Sequence, residues 1–479
     1  MKQKIFKIKI GNAEFSISFL LSVLSAIFGA LFSFLSAKFL KAYLYGEIHY
    51  YVSIVTLLST FMIFGTDNYV VKNTQFEESK QPLVSKSIVF VSLLSTLILP
   101  IYFRIGISLL SRLNGDTVLI MAIFAIALML ALSTIGYAFL QGNNKYQLRM
   151  LFSSFLPHLF FLLIFFIHFV TKTLSLFIDI YLLYYAIFYG SFGIYIVIRY
   201  LIPVKGTFLP SQIKSIVFFG LTWALYNITT PLSNIFIGEK YDNLGIVGIF
   251  SLSNQLLTVS GLATGIVNQI SNTTFAKLVK ENATDSVFKN YERITRISIY
   301  LSVPFYAAFI VEAQNLLGFF GDSYLGHNSI LVLLTIASLI ECITGPCGTI
   351  LLMGNKEREN FVASLVKFVV FISILCVLIH FTELAAPIGL VVSSLISNLI
   401  KLLFLHSVFK KNFFSLKVFL TFVIVLVISL CSFFGLSFIK NTVIWLIANI
   451  IVGLGLIIGF IVITPFKEDR KYFIKGKEL

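Results

Sequence analysis

Runs of about twenty apolar residues, separated by short polar or charged stretches, recur along the whole chain without alternating at period two. A run of that length is what an α-helix needs to cross a hydrocarbon layer of about 30 Å. Fourteen such runs occur, at approximately 15–37, 50–71, 86–103, 117–140, 150–170, 174–198, 214–237, 244–270, 297–318, 329–353, 360–381, 385–409, 418–438 and 442–465. An outer-membrane barrel would instead show segments of about ten residues that alternate apolar and polar. The pattern therefore predicts an all-α polytopic membrane protein with about 14 transmembrane helices. The first run follows Lys2, Lys4, Lys7 and Lys9, as the core of a signal peptide would. Its length and its lack of a small-residue cleavage site predict an anchor that stays on the chain.

Composition agrees with this reading. Of the 479 residues 58% are hydrophobic and 12% charged, against about 25% charged in a soluble domain, which excludes a soluble enzyme. The net charge of +15 acquires meaning only from its distribution. With a cytoplasmic N-terminus, 27 of the 36 lysines and arginines fall on cytoplasmic segments. Seven lie outside (Lys38, Lys41, Arg104, Arg112, Lys172, Lys240 and Lys440), and Lys367 and Lys401 fall inside spans. This split follows the positive-inside rule. Because it alternates along the chain, it would vanish if one span were lost. Both termini are therefore expected in the cytoplasm, and the charge is accounted for by topology and by attraction to anionic membrane lipids. Nucleic acid is not an expected partner.

The candidate chemistry is sparse. Cys342, Cys347, Cys376 and Cys431 all fall in spans, where a thiol packs as a small apolar group, and they form no CxxC pair. The six histidines are scattered without ligand spacing, so no metal site is expected. The loops are short, there is no GxxxxGK[ST] phosphate loop, and no loop carries a DxD pair. No TVGYG-type filter points to an ion channel. These absences leave a transporter working by alternating access, without a cofactor.

A polar linker from Tyr200 to Lys214, with Pro203, Gly206 and Pro210, separates six spans from the next six. Transporters of this size are often two repeats whose interface holds the substrate. The expected organisation is an N-lobe over 1–203 (helices 1–6), a C-lobe over 204–410 (helices 7–12), and helices 13–14 with a cytoplasmic tail over 411–479. The two six-helix lobes would surround a central cavity. Gly46 with Ile48-His49-Tyr50-Tyr51 and Gly245 with Val247-Gly248-Ile249-Phe250 open the second span of each half in a similar way.

Tyr45-Gly46-Glu47, Tyr50-Tyr51 and Phe64-Gly65-Thr66-Asp67 carry a family likeness in the first half. Phe319-Phe320-Gly321-Asp322-Ser323-Tyr324 and Gly345-Pro346 leading to Met353-Gly354-Asn355-Lys356 carry it in the second. Over roughly residues 10 to 410 the chain resembles the Wzx-like O-antigen and capsule flippases of the multidrug/oligosaccharidyl-lipid/polysaccharide (MOP) exporter superfamily. The last two spans resemble its fourteen-span branch, which includes peptidoglycan-precursor flippases. That branch has arginines in its first span, whereas this chain is uncharged from Phe15 to Ala37. The resemblance implies a flippase of the bacterial inner membrane. Its substrate would be undecaprenyl-diphosphate-linked oligosaccharide repeat units for lipopolysaccharide O-antigen or capsule. Its implied partners are a polysaccharide polymerase, chain-length regulator proteins, and H+ or Na+ as a coupling ion.

Charges inside spans are costly, and by default they face the bundle interior or a water-filled cavity. Glu341, Lys367 and Lys401 lie deepest, with Asp67 and Glu312 nearer an edge. A diphosphate needs cations to offset it and a sugar needs amide and hydroxyl donors. Lys367 and Lys401 fit the first need, with Ser364 one turn from Lys367 and Ser394, Asn398 and Lys401 on one helical face. Lys367 fits equally a structural ion pair with Glu341 or Glu312. Asn254, Thr258, Gly261, Gly265 and Asn268 share one face of the eighth span. Asn227, Thr230 and Asn234 share one in the seventh. Each face suits either a cavity or close helix packing. The expected substrate-binding residues are thus Lys367, Lys401, Asn398, Asn254, Asn268 and Asn227. Asp67, Glu341 and Glu312 are the coupling or gating carboxylates, Asp67 having a cap or a pair with Lys72 as its other reading. Pro304 and Pro346 are expected to bend the ninth and tenth spans. The basic stretch Lys277 to Arg296 is either a positive-inside loop or an attractor for the acidic headgroup.

The same superfamily contains antiporters that export cationic drugs, and an integral glycosyltransferase or polymerase is a third reading. Two lysines among so few intramembrane charges oppose the antiporter. The lack of a large outside loop opposes the enzyme.

Overall fold

In lipid every backbone N–H and C=O must find its partner within its own segment, and long apolar runs meet that demand as helices. The computed structural model describes residues 12–469 apart from 75–79, 202–207, 440–441, 467–468 and the single positions 109, 114, 144, 209, 282, 355 and 437. Its described elements are nineteen α-helices with short 3-10 and π turns. Their exposed surface is apolar, for instance Leu403, Ile424, Ile451 and Val462, as lipid-facing helices require. Hydroxyls within the helices turn inward to the carbonyl four residues back, as Ser87 does to Leu83 (2.8 Å) and Thr335 to Leu331 (2.7 Å). The chain is a multi-pass membrane protein.

Packing divides it into two units, one of residues 1–36 and 51–231, the other of residues 37–50 and 232–479. The first unit takes both ends of α1 (Asn12–Ile63), then α2 (Thr66–Asn73), α3 (Lys80–Ser108) and α4 (Thr117–Gly142). It continues through α5 (Tyr146–Met150), a π turn at Leu151–Phe155, α6 (Leu156–Val170), α7 (Leu174–Asp179), α8 (Tyr181–Tyr200) and α9 (Pro210–Asn227). Asp116 caps α4 by accepting from the amides of Val118 (2.9 Å) and Leu119 (3.2 Å). The break between α1 and α2 falls at Phe64-Gly65, both at positive φ, 39° and 77°. There the backbone touches α9. A Cβ on Gly65 would lie 2.2 Å from the Gly220 nitrogen, and one on Gly220 would lie 2.4 Å from the Phe64 oxygen. This contact ties α9 to α2, so the helix that follows the polar linker belongs to the first unit.

The second unit begins with the middle of α1 and resumes at Leu232, early in α10 (Thr229–Lys240). It comprises α11 (Gly245–Lys280), α12 (Thr284–Val311), α13 (Ala313–Phe320), α14 (Asn328–Thr344) and α15 (Cys347–Met353), followed by α16 (Glu357–Leu378), α17 (Ala385–Phe409), α18 (Leu416–Phe434) and α19 (Thr442–Ile463). Gly46 of α1 meets α11 at Gly248. Cβ atoms there would come within 1.9 Å of the Leu244 oxygen and 2.1 Å of the Ala42 oxygen, the close approach that small residues permit between helices in lipid. Tyr324 donates to the Ala37 carbonyl (2.9 Å), fixing the α1 segment from the other side. Beneath α12 a core of Phe275, Tyr291, Ile294, Ile350, Leu405 and Phe413 joins α11, α12, α15 and α17.

Each of the fourteen expected spans falls on helical residues. Among the described residues nine helices are long and apolar enough to cross a membrane, ten when α14 and α15 count as one bent span. The difference from fourteen arises in four places, one of them α11, the eighth expected span, which is not among these nine helices. The first two spans join in α1, whose backbone breaks its helical angles at Lys41 (φ 61°, ψ 170°). The seventh is split between α9 and α10, and the last is only partly described. The bend between α14 and α15 is 46° and coincides with Gly345-Pro346, Gly345 standing at φ 62°. Pro304, by contrast, sits inside an unbroken α12, so of the two prolines only Pro346 marks a break.

Candidate functional site

Glu341, Lys367 and Lys401, the charges expected deepest in the spans, converge in the second unit. Lys367, on α16, points its ammonium at Glu341 on α14, with Nζ 2.6 Å from Oε1. The Ser394 hydroxyl of α17 donates to the same carboxylate oxygen at 3.2 Å. Lys401, two turns further along α17, lies within electrostatic reach of both Glu341 and Lys367. One carboxylate thus faces two ammonium groups, leaving a residual charge of about +1. The Glu341 side chain is 48% exposed and that of Lys367 18%. An ionised carboxylate at such depth faces protein or water-filled space rather than lipid.

Helix packing explains the convergence. α16 and α17 run side by side, with the Ser397 hydroxyl donating to the Ala363 carbonyl across the seam (3.0 Å). Small buried residues Ala363, Ser364, Ser393 and Ser394 let the two backbones approach. The bend at Gly345-Pro346 then turns α15 so that Gly348 meets α16 and α17. A Cβ on Gly348 would lie 3.0 Å from Asn360 Oδ1 and 3.9 Å from Lys401 Nζ. Asn398 is buried on α17, one turn from Lys401. Asn360 extends the Ser364–Lys367 stripe by one further turn and was not singled out from the sequence. The i, i+4, i+7 spacing of Asn360, Ser364 and Lys367 was the available signal.

The remaining expected residues stand as follows. Glu312, at the end of α12, accepts from the Asn315 amide (2.7 Å) and from Trp445 Nε1 of α19 (2.9 Å). Of the two carboxylates considered for Lys367, the partner is Glu341. Asp67 sits on α2 in the first unit, just beyond Gly65, and its electrostatic partner is Arg149. The Lys72 side chain lies outside the described residues. Arg149 reads from sequence as a loop charge, yet it opens the helical stretch that leads into α6.

Thr56 and Thr60 of α1 bond their own i−4 carbonyls at 2.8 Å. Asn254 and Thr258 do likewise, to Phe250 (3.0 Å) and Asn254 (2.9 Å). Asn234 accepts from Ser251 (3.2 Å), joining α10 to α11, so on the seventh span at least this position serves packing. Asn227 ends α9 and is half-buried. The side chain of Asn268 lies outside the described residues. No group of three or more metal-ligating side chains occurs among the described residues.

Comparison with solved structures finds the same fold in known membrane transporters. The lipid II flippase MurJ, in an inward closed conformation, matches with a TM-score of 0.69 at 16% identity over 96% of this chain and 99% of that one. The MATE multidrug transporter DinF-BH matches at 0.59 and 15%, over 86% and 99%. An inward-facing multidrug resistance MATE family transporter of the MOP superfamily matches at 0.58 and 14%, over 83% and 97%. Comparison with curated protein sequences finds no match. Identities this low speak for the fold alone, but the sequence itself carries a family signature. The model of the polysaccharide biosynthesis protein family matches residues 35–329, more than half of the chain. The match runs from the α1 segment held by Tyr324 to the start of α14, and with it this chain belongs to the polysaccharide biosynthesis protein family.

Proposed function

We propose that the protein is a flippase, not an enzyme. It carries undecaprenyl-diphosphate-linked oligosaccharide repeat units from the cytoplasmic to the outer face of the bacterial inner membrane, for O-antigen or capsule assembly. The observation that carries this reading is the Glu341–Lys367–Lys401 cluster, a net positive centre inside the membrane of a polysaccharide biosynthesis family member. A diphosphate is an anion that such a centre stabilises where water is scarce. The serine and asparagine side chains beside it supply donors for phosphoryl or sugar oxygens. Transport proceeds by alternating access, driven by an H+ or Na+ gradient or by consumption of the product outside, where a polymerase and a chain-length regulator would receive it. Both termini lie in the cytoplasm.

A second reading, a multidrug antiporter, is favoured by the likeness to MATE transporters, and the positive sign of the cluster opposes it because a site for cationic drugs is expected to be acidic. Reconstitution into liposomes with a fluorescent polyprenyl-diphosphate oligosaccharide decides between them. Protein-dependent exposure of the inner-leaflet pool to an impermeant quencher is the expected result. A pool that stays protected under proton and sodium gradients, across several glycans, combined with gradient-driven export of a cationic dye, would replace the flippase with the antiporter.

A further inference from the structure

The two lysines of the cluster are not equivalent. Lys367 is bonded to Glu341. Lys401 has no ion pair or hydrogen bond among the described residues, and its ammonium rests against the bare α-carbon face of Gly348. Asn360 Oδ1 lies beside the same glycine and Asn398 stands one turn from Lys401 along α17, each residue only 7% exposed. Neither amide head makes a hydrogen bond among the described residues. An ammonium and two amide heads that make no hydrogen bond among the described residues remain available to a partner from outside the chain.

We propose that Lys401, Asn360 and Asn398 form a binding site for a phosphoryl anion, and that the Lys367–Glu341 pair is its fixed support, not part of the contact. The proposal rests on the flippase reading for the identity of the anion, the diphosphate of the lipid-linked substrate. The ammonium offsets charge and the amide NH2 groups donate to phosphoryl oxygens, while Gly348 leaves the space that any side chain would fill. Glu341 is bonded by Lys367 and Ser394 and makes no hydrogen bond with Lys401 among the described residues. It therefore moderates the field of the free lysine without closing the site. Lys401 is in this account a specificity-determining residue, selecting an anionic headgroup over a neutral or cationic one.

The test uses the purified full chain in detergent, with inorganic pyrophosphate as probe and a short prenyl diphosphate as competitor. The wild type is expected to bind pyrophosphate, and the prenyl diphosphate to displace it. Lys401→Gln should weaken binding about tenfold or more, the scale of one charge-assisted hydrogen bond. Asn360→Leu and Gly348→Ala, which keep every charge, should each weaken binding about three- to tenfold, and they carry the test if Lys401→Gln does not fold. Wild type that binds no pyrophosphate, or Lys401→Gln that binds normally, would overturn the proposal. Pyrophosphate binding that the prenyl diphosphate cannot displace would also overturn it, in favour of a site for a soluble anion. Failure of the site and failure of the flippase reading are separable. Loss of binding in Lys401→Gln beside a wild type that does not flip glycans leaves the site standing. Normal flipping by Lys401→Gln removes the site alone.

Discussion

Arg296 and Asp469, 173 residues apart in the chain, meet in a buried two-pronged ion pair. Nε lies 2.7 Å from one carboxylate oxygen and Nη2 2.8 Å from the other. The Phe466 ring lies 4.0 Å from the guanidinium carbon, and Tyr300 shares a hydrogen bond with Thr464 one turn along α12 (2.9 Å). These contacts fasten the stretch after α19 to the start of the apolar part of α12. At the other end of α12, Glu312 accepts from Trp445 near the start of α19. The last helix is therefore held at both ends by buried charges of a single partner helix. It is an integral part of the second unit, not a loose appendix.

Removing one partner of such a pair leaves the other as an uncompensated buried charge, at a cost of about 3–5 kcal/mol. Asp469→Asn is expected to lower the stability of the purified protein by that amount, measured as a shift of the unfolding transition in detergent. Replacing both members with apolar residues of similar size, Arg296→Met with Asp469→Leu, should recover most of the loss, because no orphaned charge remains. Equal losses in the single and double variants would show that the pair contributes through shape alone.

The opposite end gives a spectroscopic prediction. The chain has two tryptophans, Trp223 and Trp445, so a Trp223→Phe background isolates Trp445. Its indole N–H donates to a carboxylate that is 2% exposed. Glu312→Ala would leave that N–H unpaired and cost about 1–3 kcal/mol. The Trp445 emission should shift and become more accessible to a soluble quencher as the start of α19 loosens. Emission unchanged by Glu312→Ala would mean that packing alone holds α19 in place.

The helices of this fold were legible because hydrocarbon thickness dictates run length, and each expected span fell on a helix. What escaped were relations that periodicity does not encode. Arg296, Arg149 and the tail carboxylate Asp469 all read as loop charges beyond the spans, yet the first two lie in helices and Arg296 is buried with Asp469. Helices here continue past the hydrocarbon edge, and a charge on such an extension finds its partner in three dimensions. The Glu341–Lys367–Lys401 convergence was half legible. The cost of a charge in lipid marked all three residues, but only the packing of α14, α16 and α17 chose Glu341 over Glu312. The attachment of α9 was not legible for a steric reason, since the linker prolines say nothing of the Gly65–Gly220 contact that ties α9 to α2.

That contact has its own consequence. Gly65 needs the left-handed conformation (φ 77°) and also lacks room, with a hypothetical Cβ 2.2 Å from the Gly220 nitrogen. Gly220 has no unusual φ, but its Cβ would strike the Phe64 carbonyl at 2.4 Å. Both Gly65→Ala and Gly220→Ala should therefore destabilise the first unit, by at least about 1–3 kcal/mol as overpacking does, Gly65→Ala more because conformational strain adds to the clash. Gly455→Ala, with nothing within 4 Å of its Cβ, is the control and should be neutral. Membrane abundance and unfolding midpoint are the readouts. A Gly220→Ala variant as stable as Gly455→Ala would contradict the backbone contact.

Asp67 shares the first unit with Arg149, and the two influence each other electrostatically. A carboxylate with a basic partner is either a structural pair or one whose charge changes during transport, and a double-mutant cycle separates these roles. If the pair is structural, Asp67→Asn and Arg149→Gln each reduce transport by leaving the other unbalanced. The double variant then recovers, with a coupling of about 0.5–3 kcal/mol and unchanged dependence on pH and sodium. If Asp67 is the coupling carboxylate, neutralising it removes the ion dependence whatever stands at position 149, so the double variant behaves like Asp67→Asn. The second pattern is the expected one. Asp67 lies beside the backbone break at Phe64-Gly65, where the helix is discontinuous, and breaks in transporter helices are where backbone groups become available to coupling ions. Flipping assays in liposomes with imposed proton or sodium gradients read both arms. Recovery in the double variant with intact ion dependence would return Asp67 to a structural role.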